Sequence, residues 1–154
     1  MEIVDRFFQP PKTSFFLFGP RGTGKSTFVH QSFKDAIYID LLDPERIRFF
    51  SAMPERLREI VNANPRSGCL VIDEIQRVPE LLTVVHSLIE AKKGWKFVLT
   101  GSSARKLKQT GVDLLGGRAL LRTMHPFMAA ELGKRFDFNK ALQHGLLPIV
   151  VASE

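Results

Sequence analysis

The residues from Gly19 to Ser26, "GPRGTGKS", carry the densest chemistry in the sequence and fit the spacing G-x-x-x-x-G-K-[ST]. Phosphate oxygens can approach a backbone closely only where side chains are absent at the turns, which glycine permits. Successive N–H groups then form a nest for an anion. The positive end of a following helix adds to it. In this pattern Gly19, Pro20, Arg21, Gly22, Thr23, Gly24 and Thr27 make the phosphate-facing loop. Lys25 reaches the β- and γ-phosphates, and Ser26 offers a hydroxyl to Mg²⁺. ATP or ADP with Mg²⁺ are therefore the expected ligands. The competing reading is a glycine-rich turn with no ligand. The context favours the cradle, because the loop follows a predicted strand and opens a predicted helix.

A second constellation closes an apolar run. "CLVIDEI" (69–75) places Asp73 and Glu74 at the end of a buried strand, and ligands of open α/β sheets bind at the carboxyl ends of strands. Asp73 can hold Mg²⁺, directly or through water. Glu74 can polarise an attacking water. Two adjacent acids at the end of a buried strand repel each other and lose hydration, so the pair is costly without a task. The competing reading is an ordinary Asp-Glu turn.

These groups need a scaffold, and the patterning supplies one. Apolar runs at 14–20, 36–44, 69–75, 96–103 and 119–127 read as strands. Between them, 24–34, 45–65 (broken near Pro54) and 79–94 (stopped by Gly94) read as helices. The strands are continuously apolar rather than alternating, which predicts a parallel sheet covered by helices on both faces, an α/β fold. The stretch "HGLLPIVVASE" (144–154) turns apolar and then stops. This predicts a chain cut before its next element.

Composition narrows the class. The chain has 154 residues, 44% apolar and 25% charged, which suits one globular domain. One cysteine, Cys69, excludes an internal disulfide. The N-terminus does not read as a signal peptide. No run approaches the ~20 apolar residues of a membrane helix. A soluble, cytoplasmic protein without membrane partners is expected. The net charge of +6 is uneven: residues 1–90 hold 11 Lys+Arg against 12 Asp+Glu, and residues 91–154 hold 11 against 4. Such a basic half is a candidate nucleic-acid or acidic-partner face. "KKGWK" (92–96) is the best hint of one, against a solvated helix end with a buried Trp95.

The Asp-Glu pair also sorts related chemistries. A guanine-reading Asn-Lys-x-Asp is missing, since "NKAL" (139–142) lacks the Asp. "LLGGR" (114–118) follows the acidic strand, whereas the signature of ABC transporters precedes it.

Taken in order, "FGPRGTGKST", "VIDEIQRVPELL", "FVLTGSSARKL" and "LLGGRALLRTMHPFMAAELG" resemble AAA+ P-loop ATPases. They resemble more narrowly the prokaryotic AAA-domain branch that usually carries a second C-terminal domain of unknown function. The resemblance runs from the first strand to Gly133. It implies a five-stranded parallel sheet in order 5-1-4-3-2, and Mg-ATP binding and hydrolysis. It implies a polar sensor at the end of the fourth strand, here Ser102, with Ser103 and Thr100 beside it. The alternative for Ser102 is a helix N-cap. It implies an arginine finger before the fifth strand, here Arg118, acting on a neighbouring subunit of a homo-oligomer. The alternative for Arg118 is a surface ion pair. A helical lid should follow the fifth strand, and only residues 128–154 remain for it. The expectation is one AAA+-like core over 1–154, truncated at its C-terminus, with weakened turnover and assembly.

Three functions compete. One is an ATPase coupling hydrolysis to conformational change, with Glu74, Lys25, Ser102 and Arg118 catalytic and Ser26 and Asp73 on the metal. Another is a nucleotide-dependent switch with little turnover. A third is a nucleic-acid-binding module whose ATP site is secondary. His30, His86, His125 and His144 have no paired metal-ligand spacing, so no zinc site is expected. Phe7 and Phe8 read first as core packing, with flanking an adenine as the competing use.

Overall fold

The computed structural model describes residues 4–65, 68–109 and 115–152. Five strands, β1 (Phe15–Phe18), β2 (Ile37–Asp40), β3 (Cys69–Asp73), β4 (Lys96–Gly101) and β5 (Leu120–Thr123), form one sheet. All pairings are parallel and the order is β2-β3-β4-β1-β5, the expected 5-1-4-3-2 read from the other edge. The first half supplies helices α1 (Lys25–Ser32), α2 (Pro44–Ala52), α3 (Arg56–Ala63) and α4 (Leu81–Glu90). After β4 come four short helices, α5 (Ala104–Lys108), α6 (Ala129–Leu132), α7 (Phe138–His144) and α8 (Pro148–Val151).

Parallel strands read as apolar runs because both of their faces are covered, and successive side chains serve opposite cores. Phe16, Phe18, Ile39, Leu70, Ile72, Phe97 and Leu99 join Phe50, Leu57 and the apolar stripe of α4 in the larger core. Phe15, Leu17, Val71 and Val98 face the other way, onto Val29 of α1 and Met124. The helix breaks follow local rules. Asp43 caps α2 by accepting from the Glu45 N–H at 2.9 Å, with Pro44 in the first turn. Pro54 falls in the gap between α2 and α3.

Two expectations need correction, and one alternative is set aside. The fifth strand is shorter than 119–127, and none of its four residues is buried; Leu120 and Leu121 are 40% and 48% exposed. It is an edge strand with a partner on one side only, so an apolar run there is not a core strand. The helix of 79–94 ends at Glu90, four residues before Gly94, with Lys92 already in the left-handed region (φ 49°). Phe7 and Phe8 do not flank the nucleotide-side cavity described below. Phe7 is exposed, and Phe8 packs on Phe15 and Phe28, with ring centroids 6.4 and 5.2 Å away.

Candidate functional site

The C-terminal edge of the sheet gathers the predicted groups. Gly19 continues from β1 so closely beside the fifth strand that a Cβ there would lie 2.2 Å from the Met124 carbonyl oxygen. Gly22 and Gly24 hold φ of 85° and 84°, where a side chain is strained. Gly24 is the N-cap of α1; no side chain caps the helix and no acid lies in its first turn. The first N–H groups of α1 are thus left for a ligand or solvent. Thr23 is buried, and its hydroxyl donates to the Pro20 carbonyl at 2.9 Å, which braces the loop. Pro20, Arg21, Ser26 and Thr27 are exposed.

Lys25 folds back across this loop. Its ammonium donates to the carbonyls of Gly19 at 2.8 Å and Pro20 at 3.0 Å. Burial pushes its pKa below the ordinary lysine value, and the negative charges of Glu74 and Asp73 push it back up. A buried cation beside a helix N-terminus suits an anion, and the two carboxylates facing it suit a divalent cation between them and that anion. The glycine turns leave the backbone open to phosphate, and the Ser26 hydroxyl and Asp73 carboxylate are oxygen donors of the kind Mg²⁺ takes. The residues present therefore fit a Mg-nucleotide.

Asp73 ends β3 and is 3% exposed. Both of its oxygens are bonded: Thr100 donates its hydroxyl to Oδ1, and Tyr38 donates its phenol to Oδ2 at 2.7 Å. The register explains this convergence. Ile72 pairs with Leu99, so Asp73 and Thr100 leave the β3–β4 ladder together. Glu74 turns the chain out of the sheet at φ 61°, ψ 48°, a left-handed conformation that costs a non-glycine residue about 1–2 kcal/mol. Its N–H donates to the Thr100 hydroxyl at 3.1 Å, and its carboxylate accepts from the Gln76 amide. Glu74 thus leans away from Asp73 and holds a different partner.

Beside Gly24 and the first turn of α1 lies a cavity of about 310 Å³, lined in part by Arg6, Thr27, Phe28, Gln31, Phe127 and Val151. Its size and mainly apolar lining suit a planar base next to the phosphate loop. Helix α8 lies against the same loop: Pro148 Cγ is 3.6 Å from where a Gly24 Cβ would be. Arg6 ties the N-terminal arm to the segment after β5. It donates to the His125 carbonyl, lies 3.5 Å from Glu131 and stands 4.6 Å over the Phe127 ring.

The remaining predicted residues sit apart from this cluster. Ser102 and Ser103 lie just past the end of β4, and Ser103, not Ser102, is the N-cap of α5. Of the three hydroxyls at this end of β4, the one that bonds Asp73 is that of Thr100. Arg118 precedes β5, whose Leu120 pairs with Phe15 at the start of β1. It therefore stands at the sheet edge opposite its own phosphate loop. There its guanidinium pairs with Glu90 and donates to the Gly116 carbonyl at 3.3 Å. That pairing holds the Glu90 carboxyl below its usual range.

Sequence reasoning missed Tyr38, Gln76 and Arg6. Gln76 lies two residues past the acidic pair, a spacing that invites a look. Tyr38 is half-hidden in an apolar strand, and Arg6 in an arm without periodicity, so neither carried a signal. Within "KKGWK", Lys92 and Lys93 are exposed, while Trp95 packs against the larger core and Lys96 stands over the rings of Phe15 and Phe33 at 5.5 and 4.7 Å. Among the described residues no helix is long and apolar enough to cross a membrane.

Known proteins share this architecture. The AMPPCP-bound structure of DnaA from Aquifex aeolicus is similar to the chain at 16% identity and a TM-score of 0.59, over 91% of this chain and 53% of that one. PCH-2 of C. elegans is similar at 12% identity and a TM-score of 0.51, over 79% and 37%. The chain thus spans about half the length of the first and less of the second, and at these identities the likeness is one of fold. No curated protein matches the sequence closely enough to count as a relative. The model of a family described as an AAA domain matches residues 11–133. With most of its length covered by that match, the chain belongs to the AAA-domain family of nucleotide-binding AAA+ P-loop ATPases.

Proposed function

We infer that the protein hydrolyses ATP and passes its nucleotide state on as a conformational change. The observation that carries this reading is the convergence at one sheet edge of an open glycine loop, a buried lysine, a doubly bonded Asp73 and a separately held Glu74. The loop amides and Lys25 would bind the phosphates, and on binding Lys25 exchanges two backbone carbonyls for phosphate oxygens. Ser26 and Asp73 would hold Mg²⁺, which draws charge from the phosphates when bound. Glu74 would take up hydrogen bonding to water on leaving Gln76, acting as the base. Thr100 orients Asp73 and Glu74 together, through its hydroxyl and the Glu74 N–H. Ser102 remains the candidate for contact with the γ-phosphate. The apolar cavity by Phe28 and Phe127 would hold the base.

Arg118 is too remote to serve its own phosphate loop, so in this reading it acts on a neighbouring subunit after releasing Glu90. Such a finger contributes ~10³–10⁵ in rate. A homo-oligomer belongs to this reading. The engaged side chains of Trp95 and Lys96 weigh against a nucleic-acid-binding module.

Glu74→Gln tests the chemistry. The variant should bind ATP as the parent does and hydrolyse it at least a hundredfold more slowly, the low end of what a general base contributes. Wild-type turnover in Glu74→Gln would remove Glu74 from the role. A parent that binds ATP but completes no single turnover would favour a switch with little hydrolysis.

A further inference from the structure

Tyr38 is the only tyrosine of the chain, and the mechanism above does not use it. It lies on β2, with its ring in the smaller core beside Phe28 and Phe33. The His30 ring of α1 stacks on it at 3.9 Å and 22°. Its hydroxyl donates to Asp73 Oδ2 at 2.7 Å.

The link has a physical use. Asp73 is nearly fully buried, so each of its oxygens needs a donor. Thr100 supplies one and Tyr38 the other. Each oxygen keeps a second lone pair, which suits a carboxylate that contacts a hydrated cation through water. Burial and the neighbouring carboxylates hold the phenol in its protonated form, so it acts as a donor rather than as an anionic ligand.

We propose that Tyr38 is a positioning residue for the divalent-cation site, its hydroxyl holding the Asp73 carboxylate in place before the cation arrives. This rests on the reading of Ser26 and Asp73 as the metal-holding pair.

Because the tyrosine is unique, the test can read it directly. Protein labelled with ¹³C at the tyrosine ζ carbon gives a single resonance. ADP is added first with a chelator and then with Mg²⁺. The resonance should move at the Mg²⁺ step and little at the ADP step. Tyr38→Phe should raise the Mg²⁺ concentration that half-saturates ADP-bound protein by about tenfold, the low end for a hydrogen bond to a charged group. Its effect on metal-free ADP binding should be smaller. If ADP binds and the tyrosine resonance ignores Mg²⁺, the proposal is overturned while the nucleotide reading stands. An unchanged or lowered Mg²⁺ requirement in Tyr38→Phe overturns it too. If the wild type binds no ADP, the nucleotide reading falls and takes this proposal with it.

Discussion

Two glycines of the phosphate loop should fail in different ways when given a methyl group. A Gly19 Cβ would stand 2.2 Å from the Met124 carbonyl oxygen and 3.2 Å from its carbon. Met124 cannot step aside, because its own N–H donates to the Phe18 carbonyl at 2.7 Å, extending the ladder between β1 and β5. Forcing a backbone contact of this kind costs about 3 kcal/mol. In a chain of this size each kcal/mol lowers Tm by roughly 2–4 °C, so Gly19→Ala should melt about 6–12 °C below the parent. A Gly22 Cβ meets only Ile149 Cγ2, at an ordinary 3.7 Å. There the cost is the positive φ alone, about 1 kcal/mol, or roughly 2–4 °C. If the Gly22→Ala loop relaxes instead, the strain reappears on binding, because the N–H groups must return to their inward orientation. ADP should then bind about fivefold to thirtyfold more weakly, corresponding to about 1–2 kcal/mol. Thermal unfolding without ligand, followed by calorimetric titration with Mg-ADP, reads both quantities. A Gly19→Ala protein that melts with the parent, or a larger loss of stability at Gly22 than at Gly19, would refute the argument.

Two further outcomes are expected. Burial and Asp73 raise the Tyr38 pKa above its unfolded value near 10. Below pH 10 both states hold the proton and the shift contributes nothing; above it only the unfolded chain loses the proton, so stability should fall by ~1.4 kcal/mol per pH unit from this group. The phenolate absorbance of the single tyrosine should accordingly appear on unfolding and not in the folded protein just above pH 10; normal titration in the folded state would contradict this. Arg118→Ala should bind ATP normally and hydrolyse it poorly, and mixing it with Glu74→Gln should restore part of the activity by pairing an intact base with an intact finger at some interfaces. No recovery, with subunit exchange demonstrated, would return Arg118 to its Glu90 ion pair.

Much of the scaffold was legible because its signals are local. A run such as "CLVID" needs no partner to read as a strand buried on both faces, and the glycine spacing from Gly19 to Gly24 reports directly on backbone geometry. Burial of β5 was misread because "ALLRT" looks like core; whether an apolar strand is central or at an edge depends on the neighbours the topology supplies. The end of α4 was misplaced for a related reason, since Lys92 takes the left-handed conformation before Gly94 is reached. In the site, Gly24, Lys25, Ser26, Asp73 and Glu74 could be named from their spacing. Their partners could not. Tyr38 meets Asp73 across 35 residues and Thr100 meets it across 27, contacts set by strand register. The polar residue at the end of β4 was sought at Ser102, while the register places Thr100 beside Asp73.

The shift in melting temperature on adding Mg-ADP, measured for the parent and for Lys25→Ala, tests the nucleotide reading most directly. Each protein is compared with its own ligand-free melt, so stability that the free protein loses with the two Lys25–carbonyl bonds is not counted as lost binding. At a concentration a hundred times Kd, binding stabilises the parent by ~2.7 kcal/mol, a rise of roughly 5–11 °C. The expected result is that rise in the parent and little or none in Lys25→Ala at the same concentration. An equal rise in both proteins, or none in the parent, would contradict the account.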